Sequence, residues 1–541
     1  MKKNILLIPF IVLGLMFTSC ESQLDIPQKS VMDLTTYYKT AGPDEVASLV
    51  ARLHKQYFSG VKGFESILGL DILSDDFHAG GGGGTDNADQ MRDMANYIMT
   101  SQDNIPRNVY TGIYREVYYC NLIVENFKDR TEDYAVRAVA EAKFFRAICM
   151  FEAVRWWETP PFVDHVLAET EYNTPNGDAE TIIRWCLTNL DEAIAVLKPT
   201  GIDHKAYGAY ISKQAAQAYK GKIALWYGQK YNNKEILDMA GEPLLAVINS
   251  NAYGLVDDMS ILGRNAGDFC KEYIFEHNSD DDDGFVDGNQ SDLRHTYIGL
   301  RVENLALPKH IQRGGWGWSG VTGDFGKFLT KHEGGTEGKR FKAWIATYDQ
   351  ILDMEYDEGV TPGIVKAYPD NEGYFRLKNI FYANDVFPSN GFWKYSKANW
   401  YYMRYAEVLL LYAEYCHLTG EDTAGGLKAL NDVRERAGLA PAASLTYDVI
   451  KDERRAELFG EQERFFDLIR WGEAPTKLAD KGKKAYYFNG YKAGVTPGGP
   501  ESWDITVEDG PGSGWQDKYK LLPFPYTQTQ ANPNLKQNLG W

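Results

Sequence analysis

Cysteine is scarce, with six in 541 residues. No two of them form a C-x-x-C pair, which excludes a zinc ribbon and a dithiol redox motif. Beyond the first 20 residues no stretch reaches about 18 consecutive apolar residues, so no membrane-spanning helix is expected. No series of ~10-residue alternating segments suggests a membrane barrel either. Positive charge is in deficit, 57 Lys and Arg against 75 Asp and Glu, for a net of −18. That balance argues against nucleic acid as the main partner, because phosphate binding needs clustered Lys and Arg. Catalytic motifs are missing too: there is no G-x-S-x-G, no H-E-x-x-H and no Walker A loop. Disorder is excluded, since 44 % of the residues are hydrophobic.

Aromatic residues are abundant. There are 13 Trp, 35 Tyr and 25 Phe, or 13 % of the chain. A core does not need so many Trp and Tyr, so some are expected on display. The first 19 residues read as an export signal: Lys2 and Lys3, an apolar run from Ile5 to Phe17, then Thr18 and Ser19. The run is too short to cross a bilayer. The pattern resembles a lipobox in which Cys20 becomes the lipidated N-terminus, although Phe17 stands where leucine is usual; the plainer alternative is a secretory signal cut at small residues. Losing residues 1–19 removes two positive charges and leaves a net of −20. The five other cysteines lie far apart in sequence and read as buried free thiols.

Residues 20–42 read as a lipid-anchored tether and 43–541 as a single domain. A helix is expected from Pro43, with Asp44 and Glu45 in the first turn, where they suit the helix dipole. Further helices are expected at roughly 106–127, 134–157, 178–197, 210–230, 234–250, 400–419, 424–437, 446–459 and 461–471. The helices come in pairs shaped like tetratricopeptide units, over 134–250 and 400–472. Ala406, Leu409, Leu410, Ala413 and Cys416 form one apolar stripe. Residues 266–400 are rich in Gly, Asp, Asn and aromatics, with short strand-like pieces such as 272–277. Residues 475–520 are Gly/Pro-rich. The expected fold is mostly α: one helical body with long loop-rich insertions and a few short strands.

Four stretches carry a family resemblance: YREVYYCNLIVEN (114–126); EAKFFRAICMFEAVRWW (141–157); RYAEVLLLYAEYCHLTG (404–420) with LNDVRERAGL and IKDERRAELFGEQERFFDLIRWG (430–472); and the C-terminal LLPFPYTQTQANPNLKQNLGW (521–541). The chain resembles the SusD/RagB family of outer-membrane lipoproteins of Bacteroidetes. Leu539 and Trp541 replace the family's usual proline and tyrosine. The resemblance implies a lipid-anchored cell-surface protein that binds oligosaccharides and passes them to a SusC-like TonB-dependent transporter, without catalysis. A RagB-like peptide binder is the alternative within the family, and a surface glycosidase is a third reading.

Asp75, Asp76, Phe77 and His78 precede the Gly80–Gly84 run; carboxylates accept from sugar hydroxyls and an aromatic ring stacks on a sugar face. The run itself reads as a mobile loop or as one beside a ligand site. In 313–326, Trp316 and Trp318 lie two apart among glycines that suit a strand interior poorly. The bland reading makes both a core strand; the functional one exposes the rings to sugars. By region, the family's aromatic arc would draw on Phe77, His78, Tyr297, Trp316 and Trp318. The segment 279–290 partly matches a calcium loop through Asp281, Asp283 and Asp287, but lacks the closing bidentate acid. A solvated acidic turn is the alternative, and no cofactor is expected beyond that one candidate calcium. The charges of 450–472 read as helix-stabilising pairs at i, i+3 and i, i+4 and not as a catalytic dyad.

Overall fold

Local rules place the helix starts. In helix α1 (Pro43–Gln56), Asp44 and Glu45 occupy the first turn and His54 and Lys55 the last, while Val46, Leu49, Val50 and Leu53 form its buried stripe. Asp178 caps α5 (Ala179–Val196) through Thr181 N, and Ser212 caps α6 (Lys213–Lys230) through Ala215 N. The computed structural model describes residues 34–82, 89–200, 210–279, 293–386 and 396–541. Cys20, the lipobox, and Asp281, Asp283 and Asp287 lie outside the described residues. The chain divides into Met1–Gly42 and Pro43–Trp541. In the first unit Leu34–Thr40 is helical.

In the second unit, α1 is followed by a π-turn at Tyr57–Val61 and by α2 (Phe64–Ile72). Next come α3 (Asn104–Phe127) and α4 (Asp133–Trp157). Helices α3 to α6 pack on their neighbours in chain order, and α6 packs on α7 (Gly241–Asn249). The π-turn meets α3 at very close range: a Cβ on Gly112 would sit 2.1 Å from Gly60 O. After the insertion, α9 (Tyr405–Thr419) pairs with α10 (Thr423–Arg436), and α11 (Tyr447–Glu457) and α12 (Arg464–Arg470) follow. This is the helical, tetratricopeptide-like architecture expected.

Several boundaries differ from expectation. Residues 234–250 break at Met239 into two short helices. Residues 400–404 form a strand, because Trp400–Arg404 (β5) pairs antiparallel with Tyr273–His277 (β1) before the chain turns into α9. The Gly/Pro-rich tail contains a hairpin, β6 (Lys484–Tyr491) with β7 (Trp503–Asp509), on which β3 (Tyr368–Pro369) docks. A second two-stranded pair joins β2 (Ile345–Thr347) to β4 (Tyr374–Arg376). The insertion also holds α8 (Gly323–His332), capped by Thr322.

The insertion shares an aromatic core with flanking segments: Phe325, Trp344 and Phe375 cluster with Phe77, Phe459, Phe488 and Trp503, all buried. Around it the charges of 450–472 are mostly buried and paired with distant segments. Arg340 Nη1 donates to Glu453 at 2.6 Å and to Glu457 at 3.3 Å. Arg404 reaches Glu457 at 3.1 Å and also pairs with Glu272 and Glu461. Of the i, i+3 pattern expected along that helix, Asp467–Arg470 is present at 2.8 Å. Tertiary partners take the rest, because the helix lies under the insertion instead of facing water. Cys120, Cys149, Cys186 and Cys416 are buried free thiols, and Cys270 is half-buried.

Candidate functional site

Three chain segments meet in a small backbone ladder. Residues 77–80 pair antiparallel with 318–321 through the bridges Phe77–Val321 and Gly80–Trp318. His78 N donates to Gly320 O at 2.7 Å, Ser319 N to Ala79 O at 2.9 Å and Gly81 N to Gly317 O at 2.8 Å. On the other side, Trp316 N donates to Thr296 O at 2.8 Å, Gly317 N to Gly299 O at 2.7 Å and Trp318 N to Tyr297 O at 2.9 Å. The sequence-level candidates from 75–78, 297 and 316–318 therefore share one locus. Glycine is required at the crossing: Gly80 has φ +75°, and a Cβ there would lie 2.2 Å from Gly317 O.

The candidates divide by direction. Phe77 points inward and is 1 % exposed, stacked on Phe459 at 4.7 Å between ring centroids. It is a core residue, so the stacking role expected of it is corrected: the hydrophobic core takes its ring. Asp76 is buried as well, and the side chain of Asp75 is only 8 % exposed. Arg464 grips Asp75 through two 2.8 Å bonds, and Arg455 Nε donates to Asp76 at 2.8 Å. Burial alone would raise both carboxyls. Arg464 and Arg455 instead hold Asp75 well below the usual range, whereas burial lifts Asp76 to about 6 despite Arg455. Both aspartates root the loop: arginine takes both oxygens of Asp75 and one of Asp76, and Asp76 is buried away from any sugar. His78 is partly exposed and meets Glu372 Oε1 at 2.8 Å.

The two tryptophans also divide. Trp318 is 2 % exposed and packs as the bland reading had it. Trp316 is half-buried, as is Tyr297, and their rings lie 5.0 Å apart at 41°. Phe64, at the start of α2, completes the cluster. Its half-buried ring lies 4.7 Å from Tyr297, 6.5 Å from Trp316 and 6.1 Å from Trp318. Sequence reasoning missed Phe64, which sits in an ordinary apolar run; only Gly63 before it marks a break. Arg301 Nη1 donates to Trp316 O at 3.4 Å and so braces the tip. Three partly exposed rings on a braced, glycine-hinged ladder form an amphipathic surface suited to stacking on the C–H face of a ring.

Residues 271–541 match the sequence profile of the SusD family. The chain belongs to the SusD family. Two of the four quoted stretches, 404–472 and 521–541, fall inside the matched region. A SusD-like protein of Bacteroides ovatus is 23 % identical, over 69 % of this chain and 67 % of its own length. SusD-like protein P25 of Formosa agariphila is 24 % identical, over 87 % and 90 %. Among solved structures, a laminarin binding SusD-like protein superimposes with a TM-score of 0.72 at 24 % identity, covering 92 % of this chain and 99 % of that one. Surface glycan-binding protein A from Bacteroides thetaiotaomicron, in complex with laminarihexaose, gives 0.72 at 22 %, again over 92 % and 99 %. These likenesses fix the SusD fold across nearly the whole chain.

Proposed function

We propose that this SusD-family chain is a glycan-binding protein of the cell surface, held to the outer membrane through a lipid on Cys20. It captures oligosaccharides and hands them to a SusC-like TonB-dependent transporter. The observation that carries the reading is the Phe64–Tyr297–Trp316 cluster. Its three rings are partly exposed and converge on a loop ladder whose roots are locked by buried arginine–aspartate pairs. Family membership and the glycan-binding proteins of the same fold support it. No helix among the described residues is long and apolar enough to cross a membrane, which suits a lipid anchor. The aromatic platform favours sugar over the RagB-like peptide alternative, whose groove would be built from charge and backbone acceptors. The carboxylates of 450–472 serve in buried ion pairs, which favours binding over hydrolysis.

Retardation in native gels containing laminarin and a panel of other polysaccharides tests the reading. Retardation is expected in at least one gel, and Trp316→Ala should abolish it. Trp316 is the residue to change, because the buried Trp318 reports on folding. Unchanged mobility across the panel, or calorimetric heat with mixed oligopeptides but not with mixed oligosaccharides, would overturn it. Reducing sugar released from a bound polymer would restore the glycosidase reading.

A further inference from the structure

Behind the ladder, on the far side of residues 77–81 from the platform, lies a polar cavity of about 480 Å³, within the size range of small-ligand sites. His78, Glu372, Asp370, Lys481 and Tyr486 line it. Many of its charges are already matched within the protein. Asp75 and Asp324 are paired with Arg464 and Arg455, Asp480 with Lys483, and Lys484 with Asp509. What remains is a mixed set. Glu372 Oε1 accepts from His78 and from Gly323 N, and Asp370 Oδ2 accepts from Gly80 N, which leaves one oxygen of each carboxylate without a donor among the described residues. Lys481 spends two N–H groups on Ser74 O (2.8 Å) and Phe77 O and keeps a third. Lys327 and Lys477 stand exposed on the rim and make no side-chain hydrogen bond or ion pair among the described residues.

The unspent groups are thus two acceptors and three donors, within one charge of balance. Such a lining selects neither a strong anion nor a cation. A hydroxyl both donates and accepts, so a ring of hydroxyls satisfies both kinds of group at once, and charge-assisted bonds make each contact stronger. Tyr486 supplies the apolar wall: it is half-buried on β6, with its ring 5.1 Å from that of His78. Paired strands lie about 4.8 Å apart, so the cavity wall at His78 and Ala79 is roughly 5–10 Å from the Trp316 backbone.

We infer that this cavity is a second carbohydrate subsite, taking one neutral, hydroxyl-rich pyranose of a chain whose neighbouring part stacks on Phe64, Tyr297 and Trp316. The inference rests on the glycan-binding reading above. Crystals of the full chain soaked separately in glucose, galactose, mannose and glucuronate test it. A neutral hexose is expected against Tyr486, within hydrogen-bond distance of Glu372 or Asp370. It should be lost in Tyr486→Ala and kept in Tyr486→Phe, which preserves the wall. A hexose found only on the Phe64–Trp316 platform overturns the subsite and leaves the proposed function standing. Glucuronate in the cavity without any neutral hexose overturns the ligand class. Sugar at neither place overturns both readings.

Discussion

Glu414 on α9 offers the sharpest test of the electrostatic reasoning. Its carboxylate is buried and accepts from Arg470 Nη1 at 2.5 Å, Arg470 Nη2 at 2.7 Å, Trp471 Nε1 at 2.9 Å and Tyr447 OH at 3.0 Å. Burial pushes the carboxyl upward, but Arg470 overrides it and brings it from 4.5 down to about 2. A depressed carboxyl stabilises the fold at every pH above its unfolded value, and that stability is lost as pH falls through the folded value. At ~1.4 kcal/mol per pH unit, the charged form is worth about 3 kcal/mol at pH 7 and about 1.4 kcal/mol at pH 3. Glu414→Gln keeps the shape and removes the charge. Urea unfolding at both pH values should show the variant's deficit shrinking by about half at pH 3, with the denaturant slope unchanged. An equal deficit at both pH values would refute the assignment of this stability to the carboxylate's charge.

Two further expectations concern the site's scaffold. Phe77→Ala removes a ring from the stack with Phe459 and should destabilise the fold by about 3–5 kcal/mol in equilibrium unfolding; a variant that loses glycan binding at full stability would show Phe77 to be a ligand residue after all. Gly80→Ala forces an L side chain into φ +75° and against Gly317 O, so calorimetry should show glycan affinity falling roughly tenfold or more, ~1.4 kcal/mol, while far-ultraviolet dichroism stays as in the parent; undiminished affinity would mean that the ladder does not set the platform.

The helices were legible because their signals are local. The acids after Pro43 and the stripe from Ala406 to Cys416 act within a few residues of each other. The β6–β7 hairpin was not, since its glycines mask a strand pattern that becomes visible only once Tyr368 docks on Phe488. The site's location was legible by region: residues 75–81, 297 and 316–318 do meet. Which way each side chain points was not. Phe77 and Trp318 are buried where bridges join segments more than 200 residues apart in sequence, while Trp316, bonded to Thr296, stays half-buried at the tip. Asp75 and Asp76 looked like sugar acceptors because nothing near them in the chain reveals Arg464 and Arg455. Phe64 and Tyr486 carry no local signal that sets them apart from packing aromatics.

The arginine–aspartate roots have a consequence for how such proteins diversify. Asp71, Asp75 and Asp76 neutralise Arg376, Arg464 and Arg455, partners more than 300 residues away. A chimera joining the N-terminal part of one relative to the C-terminal part of another would bury these charges without their counterparts unless both parents share all six positions. The loop tip at residues 313–316 takes no part in these three arginine–aspartate pairs. New ligand preferences therefore have a cheap route through this tip, while the foundations can change only in matched pairs.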